Sequence, residues 1–221
     1  SSKTLSEAQS YVKEELSKIY STLNNKDNPT NIKIELNGLK SLNIYLTGQV
    51  VNPGINVVHP FSDIFLSLVQ AGGVSRFGSL RNIQLIRNNE IIEVVDFYSF
   101  FMRGENNFSN IKIMDGDTIH VPVVKKRVNV NGQIKNPGFY ELHDNESFKD
   151  IIDYAGGFRS NASTQVIRSI IEPLQNREND DYAKSTKSFL IKDSGKIIPN
   201  DGDYFYVAFA YNVESTASVF G

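Results

Sequence analysis

No cysteine occurs among the 221 residues, which excludes disulfides and thiolate metal sites. Positive charge is not in surplus either. There are 23 Lys and Arg against 25 Asp and Glu, a net charge of −2, whereas a nucleic-acid-binding surface carries a basic excess. Long apolar runs are missing. Stretches such as Ile64–Phe65–Leu66 fall far short of the roughly 20 residues that a membrane-spanning helix needs. The chain opens on no signal-peptide pattern. It also lacks a Gly-x-Ser-x-Gly elbow, a phosphate-cradling loop and a His pair at metal-ligand spacing. These absences count against an enzyme, a metalloprotein or a nucleic-acid binder. What is present is bulk for more than one small core: 40% hydrophobic residues, including 14 Phe and 10 Tyr.

The first 40 residues read as a helix followed by a strand. Leu5, Ala8, Val12, Leu16, Ile19 and Leu23 form one apolar stripe at helical spacing. Thr4 and Glu7 have the spacing of a capping box, and Asn28–Pro29 supplies the stop. Ile32, Ile34 and Leu36 then alternate with polar residues, as a half-buried strand does.

From there the chain repeats itself. Gly48–Gln–Val–Val–Asn–Pro53–Gly54 returns 84 residues later as Gly132–Gln–Ile–Lys–Asn–Pro137–Gly138. Ala71–Gly72–Gly73 and His59 return at the same interval as Ala155–Gly156–Gly157 and His143. Asp115–Gly–Asp117 returns as Asp201–Gly–Asp203. Each first phrase closes a strand (Ile44 and Leu46, or Val128 and Val130) and enters a turn suited to Pro and Gly. Each Ala–Gly–Gly follows a short helical pattern: Ile64, Leu68 and Val69, then Phe148, Ile151 and Ile152. Ser62 or Asp63 is the expected cap of the first helix and Asn145 that of the second. Strand-like runs follow at 83–86, 91–95 and 119–121, and at 166–171, 188–191 and 204–207. Strand, turn, strand, helix and three more strands make a β-grasp, so the fold class is α+β with two tandem β-grasp units. The expected division is 1–41 for the helix and strand, 42–124 and 125–210 for the two repeats, and 211–221 for the opening strand of a third. That last strand is read from Ala217, Val219 and Gly221.

The ordered blocks Gly48, Val50, Pro53, Gly54, Ala71–Gly73 and Asp115–Asp117, and their second set, resemble the soluble ligand-binding β-grasp (SLBB) domains of bacterial outer-membrane polysaccharide export proteins. The resemblance spans about residues 42 to 210. It implies a non-enzymatic part of a periplasmic ring that conducts capsule or exopolysaccharide across the outer membrane. The implied partners are the polysaccharide, further copies of the chain and an inner-membrane polysaccharide co-polymerase, with no cofactor and no nucleic acid. Lacking the family's signal and membrane elements, the chain is expected to be a soluble piece of a longer protein. The competing reading is a saccharide-binding or accessory module of capsule assembly.

Gly48, Pro53, Gly54, Gly72, Gly73, Gly132, Pro137, Gly138, Gly156 and Gly157 are structural turn and cap residues. The paired aspartates are turn formers rather than a calcium loop, which needs more oxygen ligands. His59, His120 and His143 do not cluster in sequence. Lys125–Lys126–Arg127, the only basic run, reads as a solvated linker face and a candidate contact for an anionic polysaccharide. Arg76, Arg81, Arg87 and Arg103 read as exposed. Phe97, Tyr98, Phe100 and Phe101 read first as core packing at the end of a strand, but on a loop-like stretch before Gly104 they cannot all face inward, so some are expected at a domain–domain or subunit contact. Phe97, Phe101 and Tyr140 are the aromatic contact candidates, and 176–185 is an expected polar loop.

Overall fold

A computed structural model describes residues 5–20, 38–108, 110–172, 176 and 184–210. The expected capping residue Thr4, the strand at 32–36 and the third-repeat strand lie outside them. The chain divides into one unit over residues 1–40 and a second over 41–221. In the first unit, α1 (Leu5–Ile19) is the helix foreseen from the apolar stripe.

The second unit contains two five-stranded sheets. The first holds β1 (Leu42–Gly48), β2 (Gly54–Val58), β3 (Ile83–Arg87), β4 (Glu90–Val95) and β5 (Thr118–Val121), in the spatial order β2-β1-β5-β3-β4. The second holds β6 (Arg127–Gly132), β7 (Gly138–Glu141), β8 (Ala162–Ile171), β9 (Lys184–Leu190) and β10 (Tyr204–Phe209), in the matching order β7-β6-β10-β8-β9. The central pair of each sheet, β1 with β5 and β6 with β10, is parallel, and the other pairs are antiparallel. One helix crosses each sheet: α2 (Ile64–Gln70) and α4 (Phe148–Tyr154). Both modules are therefore mixed-sheet β-grasps, as the repeat predicts.

Alternation builds each core. Ile44, Leu46, Leu85, Ile119 and Val121 face Ile64 and Leu68 of α2 in the first. Val128, Val130, Phe205 and Val207 face Phe148 and Ile151 of α4 in the second. Asp63 caps α2, accepting from the Leu66 amide at 2.8 Å. The α4 cap is Ser147 rather than the expected Asn145, because Ser147 stands three residues before Asp150. The two complete a capping box, with the Ser147 amide donating to Asp150 at 2.8 Å.

Two further expectations are corrected. Residues 98–103 are a helix, α3 (Tyr98–Arg103), not a loop. Asp96 accepts from the Tyr98 amide at 2.8 Å and opens it, while Gly104 at φ 73° closes it. A helix disposes of four bulky residues among five in a way a strand cannot: Phe97 and Tyr98 are buried, Phe100 is partly buried and Phe101 is exposed. Phe65, Phe97, Phe100 and Phe108 pack ring against ring beneath it. The strand expected at 188–191 begins earlier, at Lys184, so the last two positions of the expected loop belong to β9. Ile191 instead starts a 3-10 helix, Ile191–Lys196.

Candidate functional site

The repeated phrases meet in space. The Val51 and Asn52 amides donate to the Gly73 and Ala71 carbonyls, each at 3.0 Å, and Lys135 and Asn136 do the same to Gly157 and Ala155 at 3.0 and 3.1 Å. The residues after Gly48 and Gly132 donate to Val121 and Val207 at 2.7 and 2.8 Å. Gly48 and Gly132 have φ of 77° and 92°, and a β-carbon on either would strike the facing carbonyl. These glycines hold each module together, and so do the aspartates. Asp115 and Asp201 accept from the first strands of their modules, at the Asn43 and Arg127 amides, both at 2.8 Å. Buried Asp117 and Asp203 bind Arg87 and Arg168. Sequence reading found the turn but missed these arginine partners, which lie 30 and 35 residues away along the chain.

The largest departure from the sequence reading is Arg81. It was expected on the surface, yet it is 6% exposed, at the seam between the modules. Its guanidinium binds Glu146 of the second module at 2.5 and 2.9 Å, Asp96 of the first at 3.0 Å, and the Glu141 carbonyl at 3.2 Å. It lies over the rings of Tyr98 and Tyr154, 4.5 and 5.2 Å from their centres. The two rings meet edge to face at 5.4 Å. Glu141 reaches back into the first module, accepting from the Ser79 hydroxyl and, at 2.8 Å, from the Leu80 amide. The Glu141 amide donates to the Tyr98 hydroxyl at 2.6 Å, and Tyr154 donates to Glu146 at 2.5 Å. Every charge buried here has a partner of opposite sign or a hydrogen bond, as a low-dielectric setting demands.

The seam sets its own titration. Burial alone would raise the Glu146 pKa, but the bonds from Arg81, Tyr154 and the His143 amide hold it below the ordinary carboxyl range. Burial would lower the Arg81 pKa, and Glu146 and Asp96 reverse that, keeping it above the usual value. Burial pushes the Tyr98 hydroxyl up to about 12, and burial with the Glu146 bond does the same to Tyr154.

A cleft of about 270 Å³ opens beside this lock, lined by Ser79, Asn82 and Val94 of the first module and by Lys125, His143 and Asp144 beyond it. Of the residues singled out from sequence, Arg81, Lys125 and His143 line it. Lys126 pairs with Asp144 at 3.4 Å, and Arg127 starts β6 and donates to the Arg76 carbonyl at 2.9 Å, so this basic run is partly built into the seam. Phe97 and Tyr140 are buried and offer no ring face to a sugar. Phe97 belongs to the aromatic core, and the Tyr140 hydroxyl donates to the Asn136 carbonyl. Phe101 is exposed. His59, His120 and His143 have separate surroundings. His120 sits 2.9 Å from the Thr47 hydroxyl and His143 3.4 Å from Asp96. Among the described residues no three His, Asp or Glu side chains are grouped to hold a metal, and no helix is long and apolar enough to cross a membrane.

The sequence pattern of the SLBB domain matches residues 43–95 and 127–169, one segment in each module. The chain carries two SLBB domains. Two curated proteins, both named polysialic acid transport protein KpsD from Escherichia coli, are each 30% identical to the chain over 115 residues. The match covers 52% of this chain, which spans about one fifth of the length of those relatives.

The two SLBB domains differ where they face water. Val51, Phe61, Leu66, Val69 and Phe77 of the first are exposed, Phe61 to 77%. The residues 84 positions on are Lys135, Asn145, Asp150, Asp153 and Asn161. The second domain thus carries polar groups at all five matching places, and the surplus of exposed apolar surface is particular to the first.

Proposed function

We propose that this chain is a non-enzymatic, periplasmic segment of a polysaccharide export protein and forms part of the wall of an outer-membrane conduit. Its repeats, over 42–124 and 125–210, stand as one stiff block in a homo-oligomeric ring that meets an inner-membrane co-polymerase. The observation that carries this reading is the lock around Arg81. Two domains joined by a hinge suit ligand capture. Two domains fused through buried ion pairs suit a load-keeping wall. The KpsD relatives support polysaccharide as the cargo. The exposed apolar residues of the first domain, with Phe101, support packing against neighbours.

The test is deletion of the coding region for residues 48–221 in the native host, with surface and periplasmic polysaccharide measured separately. Retention inside, with synthesis intact, is the expected result. Unchanged surface polysaccharide overturns the reading. The seam cleft favours one alternative, an accessory module in which Asn82, Lys125 and His143 hold a sugar unit. Saturable binding of oligosaccharide to the isolated chain, lost in Lys125→Ala, would bring that alternative forward.

A further inference from the structure

Among the described residues each sheet ends in strands paired on one side only, and two of these edges carry opposite charge. On β4 the residues Glu90, Ile91, Ile92, Glu93 and Val94 are all exposed, and β3 is the strand's sole partner among the described residues. Its apolar side chains are 56%, 47% and 47% exposed at Ile91, Ile92 and Val94. A bare edge of this kind invites a further strand. On β9 the residues Lys184, Ser185, Thr186, Lys187 and Ser188 are exposed, and β8 is its sole partner among the described residues.

The remaining edges offer no such match. β2 reads Gly-Ile-Asn-Val-Val and carries no charge, and β7 ends in Glu141, which is committed to the seam.

The charges on the two edges are unspent. None of Glu90, Glu93, Lys184 and Lys187 has a side-chain hydrogen bond or ion pair among the described residues. Charged edges normally keep sheets apart. Here they do so selectively, since β4 repels another β4 and β9 another β9, while β4 attracts β9. Glu90 and Glu93 are three residues apart, and so are Lys184 and Lys187. β4 bulges between the glutamates, where Ile91 pairs with Ile86 and Glu93 with Leu85, so an antiparallel β9 that sets Glu90 opposite Lys187 brings Lys184 diagonally across from Glu93.

We propose that β9 of a second copy of this chain adds antiparallel to β4, with Glu90 opposite Lys187 and Glu93 diagonal to Lys184. The contact joins unlike surfaces, so it leaves a free β4 and a free β9 on every dimer and continues from copy to copy. Such a head-to-tail contact closes into a ring when its rotation permits and otherwise grows as a filament. The proposal rests on the conduit reading only for its setting, because the contact itself forms or fails in solution.

The absence of cysteine gives a direct test. Purified Glu90→Cys and Lys187→Cys chains are mixed under mild oxidation at high protein concentration and resolved without reductant. The expected product is a dimer with one chain of each kind, in excess over either homodimer. Glu90→Cys mixed with Lys196→Cys, in the neighbouring 3-10 helix, gives only background.

In sedimentation at low salt, Glu90→Lys with Glu93→Lys weakens self-association at least about tenfold, as does Lys184→Glu with Lys187→Glu. All four changes in one chain restore it. All four sites are exposed, so circular dichroism should stay unchanged. Cross-linking no better than background, or association indifferent to both reversals, overturns the proposal. If copies then still associate, another surface joins them and the conduit reading stands. If the edges pair but deletion leaves surface polysaccharide unchanged, the conduit reading falls and this contact remains.

Discussion

Arg81→Met is the sharpest perturbation of the tandem. Methionine keeps an unbranched apolar stem but removes every guanidinium bond. Glu146, whose side chain is only 13% exposed, then loses its cation and keeps the Tyr154 and His143 donors alone. Breaking one side of a buried ion pair costs about 3–5 kcal/mol, much of it the stranded charge. The lost contacts with Tyr98 and Tyr154 act in the same direction. For a folded unit of this size each kcal/mol is worth about 2–4 °C, so Tm should fall by about 6–20 °C. Urea denaturation followed by circular dichroism, with differential scanning calorimetry, measures it. Removing the orphan as well, in Arg81→Met with Glu146→Leu, should recover a large part of the loss, since an apolar replacement of both partners is often near neutral. A loss under about 1 kcal/mol for the single change, or strict additivity of the two, would refute the claim that this arginine locks the domains.

Four other outcomes follow from the same structure. Because the folded Glu146 pKa is depressed, its stabilising contribution is full above the unfolded value of about 4.3 and is lost as pH falls through the folded value. Thermal melts from pH 7 to 3 should show this loss, and Glu146→Gln should flatten it. Tyr98→Phe takes the acceptor from the buried Glu141 amide and should cost about 1–3 kcal/mol in urea titration. Gly48→Ala and Gly132→Ala, each forcing a β-carbon onto a facing carbonyl, should destabilise their domains by about 1–3 kcal/mol or more; equal stability to wild type in either would contradict the turn geometry. Leu66→Asp with Val69→Asp, which copies the second domain, should change the folding free energy by no more than about 0.5 kcal/mol per site. A large loss would mean that this face supports the fold after all.

The sequence alone determined the two β-grasp domains and the succession of strands and crossing helix along each. Gly48 and Gly132, the Ala–Gly–Gly caps and the Asp–Gly–Asp turns solve local backbone problems, positive φ and close approach, which each copy must solve again, so they recur and can be read. The spacing of Ile44 and Leu46, or Val128 and Val130, declares a buried face in the same way. Sequence reading went astray where a residue's role depends on distant chain. Phe97 to Phe101 read as a strand end running into a loop, because helix α3 is short and is opened by Asp96. Arg81 was placed on the surface because its partners Glu141 and Glu146 are 60 and 65 residues away. The seam joins one copy to the next, so each contributes a different half, and the central pair does not recur: Gln165 stands 84 positions after Arg81 and Ser62 84 positions before Glu146. Tertiary structure alone brought those halves together, because a buried guanidinium is tolerable only where the fold supplies carboxylates from both sides.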